Sequence, residues 1–261
     1  MTCPIDSEAM EPICTATVLR KYQVQYYRCK KCGLIRTEKP YWLAEAYSSA
    51  IVDSDVGHVD RNIQNAHSLQ VVLQAMSLAQ GRFLDLGGGY GLLTRMLRDK
   101  GFDAYTTDKY CPNLFAKGFE PGTDFKADAL FAFEVMEHIE EPLTFLQEAF
   151  GRYQCRTLIF STLAYGDSVP SLDWSYYSLD SGQHITIYQT RSLEHLAEKL
   201  GCVYVPINGG MTHLITDRPL TAFTRRVLTD RTVHRFYRTF IHRFRNLPSK
   251  MVTDWESSLQ R

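Results

Sequence analysis

The sequence predicts an α/β fold: a Rossmann-like, mostly parallel sheet flanked by helices and closed by an antiparallel hairpin. Three observations predict it. Phe83-Leu84-Asp85-Leu86 is an apolar run leading into glycines at 87, 89 and 91, after which Leu92 to Leu97 resumes at helical spacing. That is a strand, a tight turn and a helix start. From residue 81 onward strand-like and helix-like segments alternate, which is the pattern of βα units on a parallel sheet. Finally, strands at 202–207 and 211–216 flank Asn208-Gly209-Gly210, the residue types of a hairpin turn.

Taken in order, strand 82–86 precedes helix 91–100, and strand 103–108 follows. Pro112 to Asp124 is short and irregular. Only 20 residues separate Asp108 from Asp128, little room for a helix and a further strand. Strand 128–134, helix 142–151 and strand 156–162 come next, and helix 190–200 stops at Gly201. Upstream, Pro40 to Tyr47 begins a helical linker, and Ile63 to Ala79 reads as a helix beside the sheet.

Composition narrows the function classes. The chain has 261 residues, room for one full α/β domain and a small appendage. Twenty-nine basic and 29 acidic residues cancel, so no global field draws the protein to nucleic acid. No apolar run reaches the length of a membrane span. The start, Met-Thr-Cys-Pro-Ile-Asp, lacks the basic and apolar regions of a signal peptide, so a cytoplasmic location is expected. Seven cysteines in such a chain point to thiols and metal ligands, not to a disulfide framework. Nothing in the sequence speaks to oligomeric state.

The glycine turn predicts a nucleotide-like ligand, because its backbone allows close approach and the helix N-terminus favours a carboxylate or phosphate. Its spacing decides which. A dinucleotide fingerprint needs G-x-G-x-x-G. Started at Gly87 it would need glycine where the chain has Leu92; started at Gly88, where it has Tyr90. What is present is D-x-G-x-G-x-G from Asp85 to Gly91. This resembles motif I of the class I S-adenosylmethionine (SAM)-dependent methyltransferases. The resemblance implies a seven-stranded sheet, and a glycine turn (Gly87, Gly88, Gly89, Gly91) that wraps the methionine half of SAM with help from Asp85.

Two further stretches support it. Asp103 to Asp108 reads as the next strand, ending in an acid 23 residues after Asp85 and placed to accept from a ribose diol. Ala132-Phe-Glu134-Val-Met-Glu137-His138 resembles the "EVLEHV" stretch after the fourth strand of many small-molecule methyltransferases, which makes Glu134 a cofactor contact. In that family the region before the first sheet strand lies over the cofactor, so Tyr47, Arg61 and Asn62 are candidate SAM or lid contacts. Phe119-Glu120 is the only available guess for the residues that read adenine.

Cys29-Lys-Lys-Cys32-Gly33 is a metal knuckle, two thiolates placed to grip one ion. Its partner half is Cys3-Pro4-Ile5-Asp6, with Asp6 where a fourth cysteine would stand. Residues 1–40 resemble the zinc ribbon that precedes some class I methyltransferases, notably sugar-modifying ones. Three outcomes are open: Asp6 completes a structural zinc site with Cys3, Cys29 and Cys32, Cys14 swings in as the fourth thiolate instead, or the site is degenerate and holds no metal.

On the acceptor side, the long insert Ala164 to Gln183 follows strand 156–162, where open α/β sheets place ligands. Trp174, Tyr176 and Tyr177, with Tyr188 just beyond, are suited to stacking on a sugar ring or other flat polar molecule. Gly182-Gln-His184 through Tyr188 resembles an "H-x-x-x-(Y/F)" element of the zinc-ribbon methyltransferases. If the acceptor is a hydroxyl or carbon acid, a base is needed; His184 and His138 are the leading candidates, with Glu137 behind them.

From Arg218 to Lys250 there are eight arginines and one lysine against a single acid, Asp230, with apolar residues at roughly helical spacing. This predicts a basic amphipathic helix or pair, suited to RNA, to weak association with an acidic membrane surface or to a phosphorylated sugar donor. The expected organisation is a zinc-ribbon-like module at 1–40, a helical linker or lid at 41–80, a SAM-binding domain at 81–217 and a basic helical segment at 218–261. The expected reaction is methyl transfer to a small polar, sugar-like acceptor: a sugar, nucleotide sugar or glycan-pathway intermediate methylated at oxygen or carbon. One rival is an RNA methyltransferase with a zinc-binding N-terminus. It is opposed by zero net charge and by the lack of an Asn-Pro-Pro-Tyr-type motif after the fourth strand. The other is a non-catalytic SAM-binding or assembly protein.

Overall fold

The computed structural model describes residues 1–47 and 56–260. Linker residues 48–55, within the expected lid, lie outside the described residues.

The chain opens with three antiparallel strands, β1 (Met10–Val18), β2 (Tyr22–Cys29) and β3 (Ile35–Thr37). Helices α1 (Leu43–Ala46) and α2 (His58–Ala75) lead to β4 (Arg82–Leu86), α3 (Leu92–Asp99) and β5 (Asp103–Thr107). Then come β6 (Ala129–Ala132), α4 (Pro142–Tyr153) and β7 (Thr157–Ser161). The two-residue β8 (Thr186–Ile187), α5 (Thr190–Lys199), β9 (Val203–Ile207) and β10 (Thr212–Thr216) follow, and α6 (Ala222–Thr229), α7 (Arg231–Phe244) and α8 (Met251–Ser258) end the chain.

The main sheet has the order β5-β4-β6-β7-β10-β9. Strands β5, β4, β6 and β7 are parallel; β10 runs antiparallel to both β7 and β9. Strands β4, β6 and β7 are buried on both faces, as a helix-covered parallel sheet requires. Phe83, Phe131, Ile159 and Leu214 face α2, α3 and α6; Leu84, Leu130, Leu158 and Ile215 face α4 and α5.

The main sheet has six strands among the described residues, not the seven that the resemblance implies. Residues 108–128 form no helix or strand. With Pro112, Pro121, Gly118 and Gly122 in the stretch, it instead folds over the outer edge of β5. There the Thr106 N–H donates to the Phe119 carbonyl (2.9 Å) and the Arg98 guanidinium lies 3.5 Å from the Phe119 ring centre. An edge left without a neighbouring strand is thereby covered.

A second sheet, β1-β2-β3-β8, joins the N-terminal region to the rest. Ile35 and Arg36 of β3 pair with Ile187 and Thr186 of β8. The buried Arg36 guanidinium reaches Glu140 (3.1 Å) and Glu141 (3.0 Å), and the Trp42 indole donates to the Gly182 carbonyl (2.8 Å). The first 47 residues are thus seated on the loops at the carboxyl ends of β6 and β7.

The basic stretch from Arg218 to Lys250 forms the helix pair α6 and α7, and a third helix, α8, follows it. Asp230 ends α6 and caps α7, accepting from the Thr232 and Val233 amides. α6 and α7 pack on α2 through Val71, Ala75 and Val227. α8 is held by Asp254, which takes two 2.7 Å hydrogen bonds from Arg98.

Candidate functional site

At the end of β4 the chain turns sharply. Gly87, Gly89 and Gly91 have φ of 66°, 55° and 83°, the left-handed region that costs other residues strain. Space demands glycine as well. A Cβ on Gly87 would lie 2.8 Å from Val135, and one on Gly88 2.3 Å from Thr106 Oγ1 and 2.6 Å from Asp85 Oδ2. At Gly89 it would meet nothing within 4 Å. The turn is therefore packed on its inner side and open at Gly89. Gly91 caps α3 without a side-chain hydrogen bond, so the first-turn amides of α3 offer a site for an anionic group.

Asp85 and Asp108 serve this turn differently. Asp85 is buried, its Oδ2 has no partner, and burial together with the nearby Asp108 charge pushes its carboxyl up to about 8. Asp108 accepts from the Gly89 amide at 2.9 Å and from the Tyr110 and Cys111 amides at 2.7 and 2.8 Å. It ties the turn to the end of β5 and keeps acceptor capacity on its oxygens. An orphaned buried carboxyl group that a neighbouring cation would ionise, open space at Gly89 and uncapped helix amides fit a ligand with a cationic centre and a carboxylate. These are the features of the methionine end of SAM.

The end of β6 forms the second half of the site. Glu134 has φ of 55°, a strained setting for a non-glycine residue. Ser161, ending β7, holds it: the Ser161 Oγ accepts from the Glu134 amide (2.8 Å) and donates to Oε1 (2.6 Å). Arg61 on α2 lies 3.8 Å from Glu134 Oε2, which brings two residues expected at the cofactor together. Asn62 instead donates to the His58 carbonyl within α2 (2.8 Å). Tyr47 stacks on Tyr110, with ring centres 4.8 Å apart, and meets His138 edge-on at 6.2 Å.

Behind these lies an acid–histidine cluster. Glu137, His138 and His184 each place a ligand-type atom within 4.8 Å of the others. The His138 Nδ1 is 3.0 Å from the Gln183 carbonyl and the His184 Nδ1 2.6 Å from the Tyr176 carbonyl. A carbonyl only accepts, so both Nδ1 atoms carry protons and both Nε2 atoms hold free lone pairs when the rings are neutral. Burial lowers the proton affinity of both rings and raises the Glu137 carboxyl to about 7. The Tyr176 hydroxyl donates to Glu137 Oε1 at 3.0 Å, and its ring meets His184 at 4.7 Å.

The structure corrects two of the expected acceptor residues. Tyr188 is fully buried, with its hydroxyl on the Met136 carbonyl (3.0 Å). Tyr177 is 1% exposed, packed on Tyr26, with its hydroxyl on the Pro170 carbonyl. Both are core residues without a free face. Trp174 is half-buried against Tyr176 and Tyr177. Phe119 and Glu120 serve the local fold, Phe119 under Arg98 and Glu120 as acceptor for Asn113. Sequence reading passed over Tyr110 and Ser161. Ser161 could have been found as a hydroxyl ending a parallel strand, where such sheets place ligands.

The N-terminal cysteines converge on Asp6. Cys3, Asp6, Cys29 and Cys32 are all buried, with ligand atoms within 4.8 Å of one another. Cys3 Sγ and Cys32 Sγ are 3.7 Å apart, and Cys29 Sγ is 3.9 Å from Asp6 Oδ2. Tetrahedral zinc with ~2.3 Å bonds to sulfur separates two thiolates by ~3.8 Å, so the set fits such an ion. A hydrogen bond from Cys32 draws the Cys3 thiol down to about 6. Cys14 is not part of the group. It faces Tyr26 across a bulge in β1 and packs beside the cluster of Tyr26 and Trp42, where burial raises its thiol. Sequence reading also missed His195 on α5, whose Nδ1 lies 3.0 Å from Asp6 Oδ1.

A parallel sheet ending in an antiparallel hairpin, with a glycine turn after β4, the first of its strands in the chain, has the features of the class I methyltransferase fold. Comparison with known proteins agrees: a family model described as a methyltransferase domain matches residues 58–207, and the chain belongs to that family. No curated protein matches the chain. Among solved structures, it is similar to the 1,6-didemethyltoxoflavin-N1-methyltransferase of Burkholderia thailandensis with bound 1,6-didemethyltoxoflavin and S-adenosylhomocysteine. That likeness has 15% identity and a TM-score of 0.45, over 78% of this chain and 96% of that one. It is also similar to the magnesium protoporphyrin IX methyltransferase of Synechocystis with bound S-adenosylhomocysteine. Here identity is 17% and the TM-score 0.42, over 67% of this chain and 94% of that one.

Proposed function

We propose that the protein transfers a methyl group from SAM to a hydroxyl or acidic carbon of a small polar, sugar-like acceptor. The acid–histidine cluster Glu137–His138–His184, placed beside the glycine turn, carries this reading. When bound, SAM supplies an electrophilic methyl on a sulfonium. Asp85, the turn at 87–91 and the α3 amides would hold its methionine end, with Asp108 at the ribose and Glu134, Arg61 and Tyr47 alongside.

His184 is the base. Its Nδ1 proton is fixed on the Tyr176 carbonyl, so Nε2 accepts the acceptor's proton. Burial keeps the ring neutral near pH 7, and the Glu137 carboxylate beside it stabilises the imidazolium that forms. Tyr176 positions Glu137 through its hydroxyl. Trp174 and the exposed rim of the 164–183 insert form the acceptor wall. In this reading Cys3, Asp6, Cys29 and Cys32 hold a structural zinc ion that anchors the N-terminal sheet.

The experiment is turnover, followed as S-adenosylhomocysteine release across a panel of sugars and nucleotide sugars. The wild type turns over at least one of them. His184→Ala lowers kcat about 10²-fold or more while SAM affinity is kept. The acid limb of kcat/KM carries two ionisations, Glu137 at about 7 and His184 on the low side of the usual imidazole value. Near-normal turnover by a folded His184→Ala protein removes His184 as the base. SAM binding without turnover on any acceptor removes the catalytic reading altogether.

A further inference from the structure

The basic C-terminal segment carries a surface that the methyltransferase site does not use. On α7, Phe236, Phe240 and Phe244 are spaced four apart and so share one stripe of the helix. They are 73%, 46% and 65% exposed. Phe223 of α6, 58% exposed, extends the stripe: Phe223, Tyr237, Phe240 and Phe244 form a ladder with ring centres 5.6, 6.3 and 5.6 Å apart. The opposite side of α7 is already committed, with His234 and Ile241 buried against the domain. A contiguous ridge of exposed phenylalanines is unusual on a monomer surface and marks a contact surface.

Charge says what kind. Arg225, Arg226, Arg235, Arg238, Arg243 and Arg245 are all exposed on these two helices and the cap that ends α7, and at about 100° per residue Arg243 lies beside the phenylalanine stripe, Arg235 nearer its edge and Arg238 toward the far side. The one acid between Arg218 and Lys250, Asp230, is engaged in capping α7. An isologous contact with a second copy would set this arginine-rich face against itself. Single-stranded nucleic acid stacks its bases on separate, open aromatic faces. Here Phe223, Tyr237, Phe240 and Phe244 are already packed on one another into a hydrocarbon ridge. A helix lying on the surface, with an aromatic stripe and arginines beside it, matches the geometry of interfacial membrane binding.

We infer that α6 and α7 dock the enzyme on an anionic lipid surface, with the phenylalanine ridge in the headgroup region and the arginines on lipid phosphates. The test is co-sedimentation of the full chain with phosphatidylcholine vesicles, pure or containing about 30% phosphatidylglycerol. Wild type partitions about tenfold more strongly onto the anionic vesicles, and added salt weakens this. Phe236→Ser with Phe240→Ser and Phe244→Ser abolishes binding, and so does Arg235→Glu with Arg243→Glu. Both variants keep wild-type SAM affinity, which shows that the fold is intact. Wild-type protein left in the supernatant with anionic vesicles overturns the inference. So does a dimer that the serine variant dissociates, or a salt-sensitive RNA complex lost in the same variants without vesicle binding.

Discussion

The glycine turn and the cysteine cluster are both buried polar sites shaped for a ligand, but they are built in opposite ways. The turn is local: Asp85 through Gly91 set its conformation, and one strand and one helix frame it. The cluster is assembled from two distant segments of the first 32 residues and stiffened by His195, 189 residues from Asp6. A local site is encoded by spacing. An assembled site is encoded by tertiary packing, and a substitution in it is compensated from far away in the chain. The aspartate standing where a fourth cysteine belongs shows this, because a carboxylate in that place can accept from His195 whereas a thiolate reaches less far.

The largest effect separating the two regions is expected from removing two of the cysteines proposed to hold zinc. Cys29→Ser with Cys32→Ser takes zinc from about one per chain to near zero and lowers the melting midpoint by about 10 °C or more. SAM affinity, which belongs to the other site, changes far less. Equal metal content and melting in variant and wild type would show that the cluster holds no ion.

The next effect concerns the assembled character of the cluster. A histidine donating to a ligating carboxylate orients that ligand, and losing such a partner costs about 10–100-fold in metal affinity. His195→Ala therefore raises the zinc dissociation constant by that order, measured by chelator competition, and His195→Asn restores part of it. In an Asp6→Cys background the same His195→Ala change has little effect, since the carboxylate it serves is gone. An equal loss in both backgrounds would mean that His195 acts only on general stability.

Much of this contrast explains what was legible. Strands β4 to β7, helices α3 to α5 and the closing hairpin could be read because apolar runs, glycine turns and helical spacing are local signals. That the described residues add no seventh strand could be sensed from the short 108–128 interval, but not the edge cover found there, since that depends on Phe119 meeting Thr106 and Arg98. The Glu134–His138 stretch was visible as a motif. Its union with His184 and Tyr176 was only partly so, because tyrosines 176, 177 and 188 look alike in sequence and differ only in burial. The choice of Asp6 over Cys14 needed the β1 bulge that turns Cys14 toward Tyr26.

The smallest effect is a pH signature of the local site. The Asp85 carboxyl is raised from 3.8 to about 8 on folding, so the folded protein keeps its proton where the unfolded chain has lost it. This contribution to stability is fully present below pH 3.8 and is lost as pH rises through about 8. Asp85→Asn cannot lose that proton. Its melting midpoint therefore gains on wild type by a few degrees, an advantage that widens between pH 4 and 8 and levels off above 8. A pH-independent difference would place Asp85 in an ordinary, solvated setting.

The central claim is that the turn at 87–91 selects SAM over a dinucleotide. Calorimetric titration of the purified protein with SAM, and separately with NAD, tests it most directly. The account predicts one SAM site per chain with a dissociation constant in the micromolar range, about 100-fold or more tighter than any binding of NAD. Binding of NAD with no binding of SAM would contradict it.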